Sequence, residues 1–230
     1  MRSKSSEAGF TIIESLLAVI VVGILIVAIG PVIALSAATR IQARRTEWAT
    51  QAARTYLDGL RGGAIAPPPI QQTNEIGKNR HIDILKDIAA PGAGLNNCQS
   101  RQQRSDNGNA IDNTDSRSGY CTSPRAANYA LYCVDGDNTN TCTPDSMKDF
   151  LVQASGLQFD SLGGDATRGY LLGIRVYRAD GFDGTIALTN SEPAKTFTGG
   201  LGDKAAPMLI TITEVTGSNT TYQNLKDQYQ

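Results

Sequence analysis

The sequence predicts an α+β protein in which a long N-terminal α-helix packs on a C-terminal antiparallel β-sheet head. Three observations lead to this prediction. The run from Phe10 to Ala38 is apolar apart from one charged residue, Glu14. An amphipathic stretch continues the helical pattern to Leu60. The last third of the chain alternates apolar and polar residues, as strands do, and strands that follow a helix indicate an α+β fold.

The apolar run is long enough to cross a membrane. As a helix, the segment 10–38 would measure about 44 Å, whereas a hydrocarbon core is about 30 Å thick. It also exceeds the roughly 7–15 apolar residues of a secretory signal. We therefore expect a transmembrane helix. The alternative is a signal peptide cut after Ala38, where the preceding residues Ser36 and Ala37 are also small.

Two residues are unusual for a simple membrane anchor. An ionised carboxylate at Glu14 is costly among apolar residues unless a cation accompanies it. Pro31 lies inside the run, removes a backbone hydrogen bond and is expected to kink or loosen the helix.

The second half of the predicted helix carries one apolar stripe. We expect a helix over residues 10–61, of which 10–38 span the membrane and the remainder lie against the head. Gly62 and Gly63 end it, because glycine leaves helical geometry easily. Trp48 and Tyr56 are predicted to pack in the core. The stripe consists of Ile41, Trp48, Ala49, Ala52, Tyr56, Leu57 and Leu60.

The region 62–145 is predicted to be loop-rich. His81 to Ile88 is expected to form a short helix or strand, and Asn128 to Val134 a strand. Ser105 to Gly119 is rich in Asn, Asp and Gly, which predicts an exposed loop.

The region 146–230 is predicted to form the β-sheet head. Gly181 to Gly184 is expected to be a hairpin loop, and the polar residues from Gly217 to Gln230 are expected to fray. The three predicted strands are Tyr170–Arg178, Thr185–Thr189 and Met208–Val215.

Four cysteines, all beyond the apolar run, predict two disulfide bonds in an oxidising compartment, and the alternative is four free buried thiols. Three pairings are possible. The local pairing, Cys98 with Cys121 and Cys133 with Cys142, is preferred.

Charge and motifs argue against several classes of function. The chain has 21 Lys and Arg against 22 Asp and Glu, which gives no electrostatic reason to expect nucleic acid binding. The single histidine, His81, excludes a zinc site with several histidines and is expected to be structural or solvated. No serine lies in a nucleophile motif and no P-loop is present, so we predict a protein that is not an enzyme and needs no cofactor.

One loop carries a candidate calcium site. Asp135, Asp137 and Thr139 present oxygen side chains at alternate positions, as a calcium loop does. Position 146 is serine, whereas a complete loop of this kind has glutamate there. The alternative is an acidic turn between Cys133 and Cys142.

The N-terminal residues resemble a known processing site. Ala8-Gly9-Phe10-Thr11-Ile12-Ile13-Glu14 follows a short leader that carries Arg2 and Lys4 and precedes the apolar run. This pattern is similar to the prepilin cleavage site of type IV pilins and type II secretion pseudopilins. Pro31 also stands where this family frequently has a proline.

The resemblance implies specific roles. Residues 1–9 would be a leader that a membrane aspartyl protease removes after Gly9. Phe10 would become the new N-terminus and be N-methylated. Glu14 would pair with the N-terminal amine of a neighbouring subunit and set the axial register, which agrees with the expectation that a buried acid needs a cation. Pro31 would permit local unwinding of the helix.

The resemblance also implies partners and a location. The partners would be a prepilin peptidase and N-methyltransferase, other pilin or pseudopilin subunits, and an inner-membrane platform with a separate ATPase. The head would lie outside the cytoplasm, before the subunit enters a filament or reaches the cell surface. Arg40, Arg44 and Arg45 on the head side, against Arg2 and Lys4 in the leader, conflict with the positive-inside rule. The cysteines and the leader outweigh this conflict.

We therefore expect a minor pilin or pseudopilin. The head and stalk together resemble the cyanobacterial pseudopilins of hormogonium polysaccharide secretion, which implies a role in polysaccharide export and gliding motility. The alternative is a membrane-anchored, extracytoplasmic binding module that does not polymerise, with the loop Ser105–Gly119 as its binding surface. A secreted enzyme behind a signal peptide would instead begin near Thr39.

Overall fold

The computed structural model of the chain describes residues 11–75, 77–95, 98, 120–121, 126–190, 193 and 203–229. It confirms the α+β class, with a long N-terminal helix followed by a mixed sheet of five strands. The helices are α1 (Ile12–Arg61), α2 (Lys78–Lys86) and α3 (Tyr222–Tyr229). The strands are β1 (Ile70–Thr73), β2 (Ala130–Val134), β3 (Phe150–Phe159), β4 (Tyr170–Arg178) and β5 (Leu209–Val215). The predicted loop Ser105–Gly119 lies outside the described residues.

The sheet is mixed, whereas the sequence predicted an antiparallel one. Its order is β1-β3-β4-β5, and β2 pairs with β3 beyond the end of β1. The pairs β2–β3, β3–β4 and β4–β5 are antiparallel, but β1 runs parallel to β3, with Ile70 opposite Gly156. Parallel pairing requires a long crossover, which the chain between β1 and β3 provides. Two of the five strands, β1 and β2, come from the region predicted to be loop-rich.

Two predicted segments of the head adopt other structures. Thr185–Thr189 is not a strand, and Ala179–Phe182 forms a 3-10 turn instead of the start of a hairpin loop. The Asp183 carboxylate accepts hydrogen bonds from the backbone N–H of Thr185 at 2.9 Å and from its hydroxyl at 2.5 Å. Such local bonds compete with strand pairing.

The C-terminal residues were predicted to fray, but they form α3. The Thr221 hydroxyl accepts a hydrogen bond from the backbone N–H of Asn224 at 3.2 Å, which is the role of an N-cap. The preceding turn is fixed to the head because Asn219 N–H donates to the Thr167 carbonyl at 2.8 Å.

Both faces of the sheet are covered. On β3 and β4, the even-numbered side chains face α1, and many odd-numbered ones face α2 and the segment that follows it. The α1-side core includes Phe150, Val152, Ala154, Leu172, Ile174 and Val176. The α2-side core includes Leu85, Ile88, Leu151, Leu157, Leu171 and Tyr177. A three-layer head results, with the sheet in the middle.

Small and aromatic residues hold α1 against the sheet. Ala49, Ala52 and Ala53 are buried, and their small side chains bring the helix backbone close to the strands. Tyr56 is fully buried, and its ring lies 5.3 Å from that of Tyr132. Because the Tyr120 hydroxyl donates to the Ala66 carbonyl, the Tyr56 hydroxyl is the donor in the 2.6 Å bond to Tyr120.

The two disulfide bonds follow the pairing that the sequence favoured. Cys98 is joined to Cys121, and Cys133 on β2 is joined to Cys142. The backbone N–H of Cys142 donates to the Cys98 carbonyl at 2.8 Å, which places the two disulfide bonds close to each other. They fasten the loops of the region 62–145 to the edge of the sheet.

Removal of either disulfide should destabilise the head. Cys133 and Cys142 are 9 residues apart, and replacing both with alanine should lower the free energy of unfolding by about 2.5–3 kcal/mol. Cys98 and Cys121 are 23 residues apart, and the same change there should lower it by about 3.5 kcal/mol, because the longer loop gains more freedom in the unfolded chain. Urea unfolding of the detergent-solubilised chain, followed by near-ultraviolet circular dichroism, measures both values. An unchanged midpoint in either double variant would contradict the prediction.

Candidate functional site on the exposed half of the first helix

The N-terminal half of α1 extends away from the head and is apolar on all sides. Its most apolar 18-residue window has a mean hydropathy of 3.1, and none of that window is buried. Large exposed side chains run from Ile12 to Leu35, whereas the first buried residue of α1 is Gln42 and its contribution to the core begins at Ala49. A soluble helix would bury such a surface, so this segment is a candidate membrane span.

Glu14 lies in the first turn of this apolar half. Thr11 is the N-cap: its hydroxyl accepts a 3.3 Å hydrogen bond from the backbone N–H of Glu14. The carboxylate is favourably placed with respect to the helix dipole because it lies at the N-terminal end. No described residue forms an ion pair with it. Glu14 is thus an exposed acid on an apolar surface, with Ile12, Ile13 and Leu17 exposed around it.

The predicted processing site lies just before this turn. Gly9 and Phe10 are outside the described residues, so their roles in leader cleavage and N-methylation stay predictions from the sequence. The described helix begins at Ile12, two residues after the predicted new N-terminus.

Pro31 does not interrupt the secondary structure. The α-helix is continuous from Ile12 to Arg61 with the proline inside it. Because proline has no backbone N–H, the carbonyl of Val27 lacks its usual intrahelical donor. The predicted weakness is therefore a missing hydrogen bond within a continuous helix.

The stripe predicted on the second half of α1 is only partly buried. Tyr56 and Leu60 pack on the sheet as expected, but Trp48 and Ile41 do not. Trp48 is 41% exposed and Ile41 is 46% exposed. The helix instead buries Gln42 and Arg45, because the centre of its contact face is rotated away from Ile41 and Trp48. The Arg45 guanidinium is accommodated there beside Met147, with Nη2 3.9 Å from Sδ.

The acidic loop after β2 brings three carboxylates together. Oxygens of Asp135, Asp137 and Asp149 lie within 4.8 Å of one another. Sequence reasoning missed Asp149, which is buried and directly precedes β3. Its distance in sequence from the other two gave no signal, since only the pairing of β2 with β3 brings it to the loop.

Hydrogen bonds within the loop engage these carboxylates. Asp135 accepts from the backbone N–H of Asn138 at 2.7 Å and of Asn140 at 2.6 Å. Asp149 accepts from the backbone N–H of Gly136 at 3.0 Å. The Thr139 hydroxyl donates to Asp137 at 2.8 Å. The turn is thus ordered by its own donors.

The pKa values of Asp137 and Asp149 are shifted in opposite directions. Hydrogen bonds from the hydroxyls of Thr139 and Ser146 lower the pKa of Asp137. Burial raises the pKa of Asp149. Three oxygens at this spacing are compatible with a hard cation such as calcium, and the calcium site stays a prediction.

His81 lies in α2 and is buried. Its Nε2 is 2.6 Å from the carbonyl of Glu75, so this nitrogen carries the proton and donates. The bond ties the start of α2 to the preceding turn. Among the described residues, no cysteine or carboxylate forms a group of metal ligands with it.

No family model matches the chain, no curated protein matches it, and no solved structure matches it.

Proposed function

We propose that the chain is a minor pilin or pseudopilin, a structural subunit of a type IV pilus-like or type II secretion-like filament. The observation that carries the proposal is the form of α1. One continuous helix has a fully exposed apolar half with a single acid, Glu14, near its end, and a second half fixed to the head. A helix of this form can be held in lipid and can also be packed among like helices.

Transfer between these two environments requires no large change in exposed apolar area. In the membrane, the side chains from Ile12 to Leu35 contact lipid tails. In a filament, the same side chains contact neighbouring helices, and lipid is as apolar as these neighbours. The head travels as one body with the helix, because Tyr56, Ala49 and Ala52 are buried against the sheet. The two disulfide bonds are in keeping with a head outside the cytoplasm.

Glu14 gives the packing a register. A carboxylate moved from the membrane edge into a dry filament core would be strongly disfavoured without a cation. The amine that cleavage before Phe10 would create is such a cation, and a neighbouring subunit supplies it. Axial displacement of one subunit would separate both charges from their partners, so a single stagger is selected.

The first expected result concerns the N-terminus. Mass spectrometry of the N-terminal peptide, from membranes and from sheared surface material of the native host, should find a chain that begins at Phe10 and carries an added methyl group. The reason is that assembly requires the free amine, which exists only after cleavage following Gly9. An intact Met1 in both fractions would contradict the proposal and favour a permanently anchored binding module. A chain that begins near Thr39 would instead indicate a secreted protein.

A further inference from the structure

One side of α1, just beyond the membrane span, carries two arginines and the only tryptophan. Arg40, Arg44 and Trp48 are each four residues apart, so they lie along one side of the helix and form what is here called the outer stripe. All three are exposed. The stripe is turned by roughly 130° around the helix from the centre of the face that contacts the sheet.

The two arginines have no acidic partner in the described structure. The sequence contains no acidic residue between Glu14 and Glu47. Among the described residues, no ion pair involves Arg40 or Arg44. Arg40 comes two residues after the end of the apolar segment at Ala38, so at the head-side end of the span its guanidinium lies at the depth of lipid headgroups.

The span is longer than the hydrocarbon core, and tilting is one way for the helix to fit it. From Ile12 to Ala38, α1 is about 40 Å long, about 10 Å more than a hydrocarbon core. A tilt of about 40° would match the two lengths. The head occupies one side of the helix, so the side free to turn toward the membrane includes the outer stripe.

The tilt brings the stripe down to the headgroup layer. Arg40 and Trp48 are about 12 Å apart along the axis, and the tilt reduces their difference in height to about 9 Å. The side chains also project about 5 Å from the axis, toward the membrane on this side. The Trp48 indole then lies near the outer limit of the headgroup layer, which is about 5–7 Å deep.

We infer that the outer stripe is a membrane-surface contact, in which Arg40 and Arg44 bind lipid phosphates of an anionic leaflet and Trp48 lies in the headgroup zone. Arginine binds phosphate with several donors, and tryptophan is enriched at membrane interfaces. The contact explains why Trp48 is left outside the core, and it gives the basic residues on the head side a role. It rests on the membrane span alone and does not depend on filament assembly.

Trp48 is the only tryptophan in the chain, so its fluorescence reports the position of the stripe directly. The full chain would be reconstituted into phosphatidylcholine vesicles and into equimolar phosphatidylcholine–phosphatidylglycerol vesicles. Quenching would be measured with lipids brominated near the headgroup and with aqueous iodide. We expect stronger quenching by the brominated lipids, and weaker quenching by iodide, in the anionic vesicles.

The variant R40Q/R44Q tests the arginines, and R54Q/R61Q is the matched control on the same helix beyond the stripe. Each arginine at an anionic surface is worth about fivefold in an equilibrium. Because Arg40 lies at headgroup depth at any tilt, the difference comes mainly from Arg44, and R40Q/R44Q should lower the ratio of chains with the stripe on the membrane to chains with the stripe in water by about fivefold or more. The control should leave it unchanged.

Two results would overturn the inference. One is Trp48 quenching that is equal in wild type and R40Q/R44Q. The other is protection from iodide that disappears when the chain is diluted with excess lipid, since a second copy would then be covering the stripe. Far-ultraviolet circular dichroism of each variant confirms that the helix is intact.

Discussion

Glu14→Leu should reduce incorporation of the chain into filaments by about 100-fold or more, because an N-terminal ammonium left unpaired in a dry core costs about 3–5 kcal/mol. Membrane insertion should be unaffected or slightly improved, since leucine is favoured in the span. The head should fold normally, because Glu14 makes no contact with it in the described structure. The measurement is the ratio of chain in sheared surface filaments to chain in membranes, by quantitative immunoblotting.

Glu47→Leu is the matched control for this experiment. Glu47 is an exposed acid on the same helix, but it lies beyond the span, beside the head. The control should assemble as well as wild type. Cleavage after Gly9 must be confirmed by mass spectrometry in the Glu14 variant, so that a processing defect is not mistaken for an assembly defect. Wild-type incorporation by a correctly processed Glu14→Leu chain would refute the register role of Glu14.

Local patterns in the sequence predicted α1 and β4. The apolar run and the glycine pair at 62–63 defined α1, and the alternation of Leu172, Ile174 and Val176 predicted β4 with the limits that the structure gives it. The α1 pattern is visible because its N-terminal half is apolar throughout, and the β4 pattern is visible because Arg175 and Tyr177 alternate with apolar residues, although both faces of β4 are buried.

The central strand β3 was missed for a physical reason. Nine of its ten residues, including Gln153 and Ser155, are buried. A strand covered on both sides need not alternate apolar and polar residues, and β3 does not. Its polar side chains are satisfied by distant partners: Gln153 Nε2 donates to the Ala89 carbonyl at 2.7 Å, and the Ser155 hydroxyl donates to the Asn128 carbonyl at 2.5 Å.

The same limit applies to the candidate sites. Glu14 stood out from sequence because its neighbours along the chain are apolar. Asp149 and the exposure of Trp48 depend on how separate segments pack, through the pairing of β2 with β3 and the rotation of α1 on the sheet. The residues next to Asp149 and Trp48 in the sequence therefore did not predict these two features.

Arg175 shows how strongly such packing can override a pattern. Sequence alternation placed it on the face of β4 opposite Leu172, Ile174 and Val176, which is the exposed face in a two-layer head. In the structure α2 covers that face, and Arg175 is only 5% exposed. Its guanidinium donates to the carbonyls of Lys86 at 2.5 Å, Ile88 at 2.8 Å and Leu85 at 3.3 Å. It thus caps the C-terminal end of α2, where a cation is also favoured by the helix dipole.

Arg175→Met should therefore lower the free energy of unfolding by about 3–5 kcal/mol. Methionine keeps the apolar stem but removes every donor, so the carbonyls of Leu85 and Lys86 and the Gln153 side chain lose this partner, at about 1–3 kcal/mol for each buried acceptor. The Ile88 carbonyl keeps its bond from Asn190 Nδ2 at 3.0 Å, and loss of the buried charge offsets part of the cost. Arg175→Lys should recover part of the loss, because an ammonium retains the charge but has no planar fork to reach several carbonyls. Urea unfolding of the detergent-solubilised chain measures the three stabilities.

Arg54→Met separates the cap from any general effect of removing an arginine. Arg54 is exposed on α1, so its replacement should change the free energy of unfolding by less than about 0.5 kcal/mol. Hydrogen exchange gives a second, local measure: the α2 amides should lose protection in Arg175→Met well before those of β3, because the cap holds α2 to a sheet that otherwise remains paired. If Arg175→Met and Arg54→Met destabilised the chain equally and the α2 amides stayed protected, the Arg175 guanidinium would not be what holds α2 on the sheet.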